Sequence, residues 1–239
     1  MKKVLFIVAW LFIACTATAQ NPTTFMEASS KIIKEKRAIA NFDKVRINGP
    51  FKVVLGTSDK FIIVEGSNNI VPLITTEIKN GLLTVSLKDD LIIKSSKYNT
   101  IIVKVPFDVL NEISLYGSGS IKSNKKIVNK LSIKLDGCGD ISLNLYSPKT
   151  DASLLGSGTI LLAGYSQTFN CKVTGSGTIK ALELDSDEVN AAVRGSGAVT
   201  VLSNESITGR INGSGTIAFS GEPKGQDLQR TGTGKFVAP

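Results

Sequence analysis

The chain has 239 residues, 42% hydrophobic and 20% charged, with a formal net charge of +8 and no histidine. Without histidine there is no Ser-His-Asp or Cys-His nucleophilic machinery and no imidazole-bound metal. The length suits one domain of roughly 220 residues, or two small ones, once an N-terminal targeting segment is set aside.

That segment comes first in chain order. Met1-Lys2-Lys3 precedes an apolar run over residues 4–13, and Ala17-Thr18-Ala19 precedes Gln20. A short basic stretch, a short apolar stretch and small residues at a cut site form a secretory signal peptide, expected at residues 1–19. The alternative is lipoprotein processing at Cys15, to which Phe12-Ile13-Ala14 is a poor match. Either way the protein is expected to be exported: periplasmic, at the cell surface or extracellular. No later run reaches the roughly 20 apolar residues of a transmembrane helix.

Loss of Lys2 and Lys3 lowers the net charge from +8 to +6. A basic exported chain suits acidic glycans, lipid headgroups or envelope polymers, and equally a plain solvated lysine surface. No Lys/Arg block is dense enough for nucleic acid.

Residues 20–36 read as a polar leader, with a short helix over 29–36. Residues 37–112 read as a β-rich head region without a clean repeat. Strands are expected at 44–47, 51–55, 61–65, 82–87 and 101–105, because these Val-, Ile- and Phe-rich runs are bounded by Gly, Asn and Asp clusters. Asn80-Gly81 is a hairpin turn candidate.

From residue 113 to 239 a repeat dominates. Gly-x-Gly recurs at Gly117-Ser118-Gly119, Gly137-Cys138-Gly139, Gly156-Ser157-Gly158, Gly175-Ser176-Gly177, Gly195-Ser196-Gly197 and Gly213-Ser214-Gly215, with a degenerate copy at Gly232-Thr233-Gly234. First-glycine spacings of 20, 19, 19, 20, 18 and 19 residues mark a solenoid. Apolar or glycine residues alternate with mostly polar ones over 133–143, 171–181, 191–201 and 211–219, which is the period of a half-buried strand. The fold class is therefore all-β: a parallel β-helix-like solenoid of about 19-residue coils, preceded by a less regular β-rich part.

One strand is expected to pass through each Gly-x-Gly with both glycines facing inward. They would admit the opposite wall or allow a bend at positive φ. A dinucleotide loop would need a third glycine, and Lys122, Ser142, Leu161, Lys180, Thr200 and Ala218 stand there instead. Facing outward, Ser118, Cys138, Ser157, Ser176, Ser196 and Ser214 form one column, and Ser120, Asp140, Thr159, Thr178, Ala198 and Thr216 a second. Such a ribbon, about 4.8 Å per rung and about 7 Å between columns, is either a packed wall or a hydrogen-bonding surface. The candidate ligand-binding residues are Ser118, Ser157, Thr159, Ser176, Thr178, Ser196, Ser214 and Thr216.

Other chemistry is sparse. Cys138 and Cys171 fall on opposite faces two rungs apart, so two free thiols are expected. Asp136 and Asp140, as neighbours on one strand, would stand about 13 Å apart, beyond glycosidase spacing. Asp185, Asp187 and Glu188 form a turn cluster that would hold Ca²⁺ weakly, if at all. No catalytic residue, metal or other cofactor is assigned.

Residues 37–47 (Arg37-Ala38-Ile39-Ala40-Asn41-Phe42-Asp43-Lys44-Val45-Arg46-Ile47), then Phe51-Lys52-Val53-Val54-Leu55 and the serial Gly-Ser-Gly-Thr-Ile copies, resemble a known family. That family is the putative auto-transporter adhesin, head GIN domain proteins of Bacteroidetes-type bacteria, and the likeness runs from about residue 37 to 220. It implies a right-handed β-helix-like fold at the cell envelope and transfers no ligand-binding residue. After Gly234 only Lys235-Phe236-Val237-Ala238-Pro239 follows, so self-export through a barrel is not expected. The expected function is a noncatalytic envelope or secreted module that binds a surface polysaccharide or protein. The alternatives are a structural or assembly protein and, third, a β-helix enzyme that degrades polysaccharide. Open solenoid ends need covering, by the head region at one end and by homo-oligomerisation at the other.

Overall fold

The computed structural model describes residues 24–88, 91–93 and 100–238. The expected signal peptide, Cys15 and the first residues of the leader lie outside them. The head region comprises β1 (Thr24–Met26), β2 (Ile32–Arg37), β3 (Lys44–Asn48), β4 (Lys52–Leu55), β5 (Ile62–Ser67), a 3-10 turn (Val71–Leu73), β6 (Ile74–Lys79), β7 (Leu82–Leu87), β8 (Leu91–Ile93) and β9 (Ile102–Val105). The repeats form β10 (Glu112–Gly117), β11 (Ser120–Ser123), β12 (Ile127–Val128), β13 (Leu131–Gly137), β14 (Asp140–Gly156), β15 (Thr159–Gly175), β16 (Thr178–Gly195), β17 (Ala198–Leu202), β18 (Ser206–Gly213), β19 (Thr216–Ser220), β20 (Gly225–Thr231) and β21 (Lys235–Val237).

Each coil contributes one strand to each of two walls. Wall A stacks β7, β3, β10, β13, the second halves of β14, β15 and β16, then β18 and β20, all in parallel. Wall B stacks β9, β4, β11, the first halves of β14, β15 and β16, then β17, β19 and β21. Every second side chain points between the walls, and the core is aliphatic: Leu135, Leu154, Val173 and Val193 from wall A, with Ile141, Ile160, Ile179 and Val199 from wall B, are buried. Burial of such side chains supplies the folding drive, about 1.5–3 kcal/mol each.

The Gly-x-Gly copies are corners between the walls: the expected alternative of a bend at positive φ holds at the first glycine, while the expectation of one strand through the motif with both glycines inward is corrected. The first glycine of each copy from Gly117 to Gly213 has φ between +110° and +134°, and the chain turns there. The second glycine is buried and the first is not. The inward/outward phase survives the turn, so the sequence alternation gave no sign of it. At the corners of Gly137, Gly156, Gly175 and Gly195 the first glycine's carbonyl accepts two amides from the next coil, and at Gly117 and Gly213 it accepts one. Gly156 O receives Ser176 N at 3.0 Å and Gly177 N at 2.9 Å, and Gly175 O receives Ser196 N at 3.1 Å and Gly197 N at 2.9 Å.

The opposite corner carries a second serine column that the sequence reading missed. Ser147, Ser166, Ser186 and Ser203 are each at most 1% exposed and stitch their turns internally. Ser147 Oγ donates to Lys149 O at 2.7 Å, Ser166 Oγ to Thr168 O at 2.9 Å and Ser203 Oγ to Ser206 O at 2.7 Å. A buried hydroxyl is tolerated only with such a partner.

The head region closes one end of the stack with antiparallel strands. β6 pairs with β7 through a turn at Asn80 (φ 51°) and Gly81 (φ 76°), the expected hairpin. β5 pairs with β9, and β2 with β5. Residues 32–37 are thus a strand, against the expected helix over 29–36. Pairing on β5 overrides the helix preference of its Lys and Glu residues, and Lys34 reaches Glu65 across the pair at 3.3 Å. At the far end Leu228 and Phe236 fold over Gly209, where a Cβ would lie 2.8 and 2.6 Å from them.

Glycine substitutions test the corner. At Gly175 a Cβ would meet Gly156 O at 2.6 Å with φ at +116°, and at Gly197 it would meet both Gly177 O and Val173 Cγ1 at 2.6 Å. Gly225 would meet nothing nearer than 3.4 Å. Gly175→Ala and Gly197→Ala should each cost about 1–3 kcal/mol in urea unfolding, and Gly225→Ala should change little; equal stability of all three would contradict this corner. Cys138 is exposed and Cys171 buried, both as free thiols. Burial pushes the Cys171 thiol up to about 12. A maleimide should therefore label Cys138 in the native protein and Cys171 only after denaturation.

Candidate functional site

The sequence-predicted residues are brought into line. Ser118, Ser157, Ser176, Ser196 and Ser214 stand exposed at the corner tips, with Cys138 in the same column. Two residues on, Ser120, Asp140, Thr159, Thr178, Ala198 and Thr216 open wall B in direct register. The Ser176 and Ser196 hydroxyls bond each other at 3.0 Å. Small side chains and the carbonyl ladder below hold this ribbon at the strand pitch.

The weighed acidic residues have other engagements. The corner separates Asp136, on wall A, from Asp140, on wall B. In the turn cluster, Asp187 accepts from Tyr165 Oη at 2.6 Å, Asp185 from Asn204 Nδ2 at 2.6 Å and Glu188 from Thr168 Oγ1 at 3.5 Å. The Asp187 bond, with some burial, pushes the Tyr165 phenol up to about 12. Among the described residues no three His, Cys, Asp or Glu side chains converge as metal ligands. Tyr165 also stacks on the exposed Tyr146, ring centroids 5.2 Å apart.

The outer face of wall A is the feature that sequence reasoning missed. An amide ladder runs along it: Asn170 Nδ2 donates to Asp151 Oδ1 at 2.6 Å, and Asn190 Nδ2 to Asn170 Oδ1 at 2.9 Å. Beside the ladder lie two open grooves. One, of about 320 Å³, has Lys134, Ser153 and Lys172 on its lining. The other, of about 390 Å³, has Lys172, Ala192 and Arg210. Tyr116 sits between two cations, 5.0 Å from Lys134 Nζ and 6.0 Å from the Arg46 guanidinium. These residues come from different coils, and no single repeat contains more than a fragment of the face. Their signal appears only after the coils are set in register.

A third depression, of about 650 Å³, lies on the head region, where Phe42, Thr57, Lys60, Phe107 and Lys125 are among its lining residues. Lys125 Nζ donates to Phe107 O there at 3.2 Å.

Solved structures share this architecture. A "putative adhesin" from Bacteroides fragilis is 24% identical, with 90% of this chain and 100% of that chain covered at a TM-score of 0.84. A "putative lipid binding protein" from Parabacteroides distasonis is 20% identical, with 90% and 100% covered at a TM-score of 0.74. A "putative adhesin" from Parabacteroides merdae is 20% identical, with 90% and 99% covered at a TM-score of 0.71. At these identities the likeness establishes the fold. No curated protein matches the chain. The family model described as "Putative auto-transporter adhesin, head GIN domain" matches residues 41–223, and the chain belongs to that family.

Proposed function

We propose that the protein is a noncatalytic module of the cell envelope or extracellular space that holds an extended surface polymer or protein along its solenoid axis. The observation that carries this reading is the evenly pitched hydroxyl ribbon of exposed Ser118, Ser157, Ser176, Ser196 and Ser214 beside half-buried Thr159, Thr178 and Thr216. A rigid backbone ladder presents these groups without the ordering cost that a flexible loop would incur on binding. Family membership and the adhesin names of two similar structures support the same reading. The Ser176–Ser196 bond favours a second reading, in which the column is a self-satisfied structural wall.

Retention of the purified protein on a panel of neutral and acidic polysaccharides tests the first reading, with soluble reducing ends assayed in the same tubes. The expected result is saturable retention without new ends. Replacing Ser157, Ser176 and Ser196 together with valine should weaken retention about tenfold or more, since each lost hydrogen bond is worth about 0.5–1.5 kcal/mol. Release of new ends would overturn the noncatalytic assignment. Unchanged retention by the triple variant, with altered folding or self-association, would assign the ribbon to structure.

A further inference from the structure

Strand register on wall A reveals an order that the linear sequence conceals. The outward position three residues before each corner's first glycine forms one continuous column. Its partners in register are Thr84, Arg46, Ser114, Lys134, Ser153, Lys172, Ala192, Arg210 and Gln229. Cations occupy alternate rungs, and each rung between two cations carries a serine or an alanine. In the repeat region Lys134, Lys172 and Arg210 are spaced by 38 residues, two coils at a time. With rungs about 4.8 Å apart, successive cations along the column are separated by about 9.6 Å.

Two of the small residues, Ser153 and Ala192, leave room between the cations, whereas Ser114 is covered and buried. The 320 Å³ groove lies over Ser153, between Lys134 and Lys172, and the 390 Å³ groove lies over Ala192, between Lys172 and Arg210. Lys134 and Lys172 have no salt-bridge partner among the described residues, whereas Arg210 is held by Asp227 at 2.5 Å. Arg46 Nε is buried with no partner among the described residues. Glu112, Asp136, Asp151 and Asp227 stand in the flanking columns, and Asp151 already accepts from Asn170 and faces Lys149 at 3.8 Å. Arg194, also in a flanking column, lines the 390 Å³ groove on the Ala192 rung and adds a cation at its edge. On the Ser114 rung the Tyr116 ring stands between Arg46 and Lys134 and engages both cations.

We propose that the outer face of wall A binds a linear acidic polysaccharide lying along the solenoid axis, one anionic group on every second sugar. This rests on the adhesive reading above, names its ligand class and adds the wall A face to the hydroxyl ribbon as a second contact surface. A rung is about 4.8 Å and one sugar of an extended hexose chain is close to one rung long, so a charge on alternate sugars meets a cation on alternate rungs. The uncharged sugar fills the groove over Ser153 or Ala192, and the Asp151–Asn170–Asn190 ladder faces its hydroxyls. The chain's face matches this period and not that of a duplex strand, whose phosphates recur every 3.4 Å or so.

Hyaluronan, with one carboxylate per disaccharide, is the probe, compared with its methyl ester and with densely charged dextran sulfate. The wild-type protein should bind hyaluronan in a salt-sensitive manner and lose the esterified polymer. Lys134→Ala with Lys172→Ala should weaken hyaluronan binding about tenfold or more and flatten its dependence on salt. Ser153→Lys with Ala192→Lys raises the net charge yet fills both grooves. This pair should weaken hyaluronan while strengthening dextran sulfate. Circular dichroism of these outward-facing variants confirms the fold in each case. Tighter hyaluronan binding by the lysine-filled variant would reduce the face to nonspecific electrostatics and overturn the proposal. Retention on neutral polymers, unaffected by the Lys134/Lys172 pair, would overturn it and leave the adhesive reading standing. No retention on any polysaccharide would end both.

Discussion

A carbonyl that accepts two amides sets the geometry on which the rest of the solenoid depends. At the four corners from Gly137 to Gly195 the oxygen of the first glycine takes two successive N–H groups of the following coil, and at Gly117 and Gly213 it takes one, so the ladder does not lapse where the wall turns. An ordinary residue is strained at φ near +115°, and its Cβ would strike the carbonyl beneath it. The second glycine answers a different demand. Leu135, Leu154, Val173 and Val193 each reach under the corner of the next coil, and a Cβ there would strike them. One glycine is required by backbone conformation and the other by packing from the coil before.

The exception at the head end supports this division. Register aligns Gly49-Pro50-Phe51 with Gly117-Ser118-Gly119. Gly49 keeps the positive φ, at +133°, while Phe51 takes the slot of the second glycine and is fully buried. The strands beneath it, β7 and β9, are separated by residues 88–101 in the chain rather than joined by such a corner. The ring fills the end of the core instead, and the antiparallel pairs β6–β7 and β5–β9 cover the strand edges that a parallel stack leaves open.

Much of this was legible in the residues. Period-2 alternation and 18–20-residue spacing specify a parallel β-solenoid, and β3, β7 and β9 lie where Val/Ile runs between turn clusters put them. What escaped did so for physical reasons. The Gly-x-Gly corner keeps the inward/outward phase, so alternation passes through it undisturbed. At the serine corner the phase slips by one residue, from Ser147 to Thr150 and from Ser166 to Phe169, and the slip reads as an irregular loop. β2 and β6 are edge strands with one half-polar face, and their pairing partners rather than their composition make them strands. The Ser/Thr columns were visible because they recur in every coil. The cation column was hidden because it recurs in every second coil and is interrupted by the head region before Arg46.

Charge repulsion alone would also space cations apart. Two lysines on adjacent rungs, about 4.8 Å apart, repel by roughly 1 kcal/mol in water, and at about 9.6 Å screening removes most of the remainder. That argument asks only that the intervening residue be uncharged. Asparagine, threonine or leucine would satisfy it, and all three stand elsewhere on this wall, at Asn190, Thr174 and Leu155. The interleaved positions hold Ser114, Ser153 and Ala192 instead, and the grooves open over the last two. Relief of repulsion accounts for the charge pattern, and it leaves the size pattern unexplained. A ligand that brings charge to alternate rungs and bulk to the rungs between accounts for both.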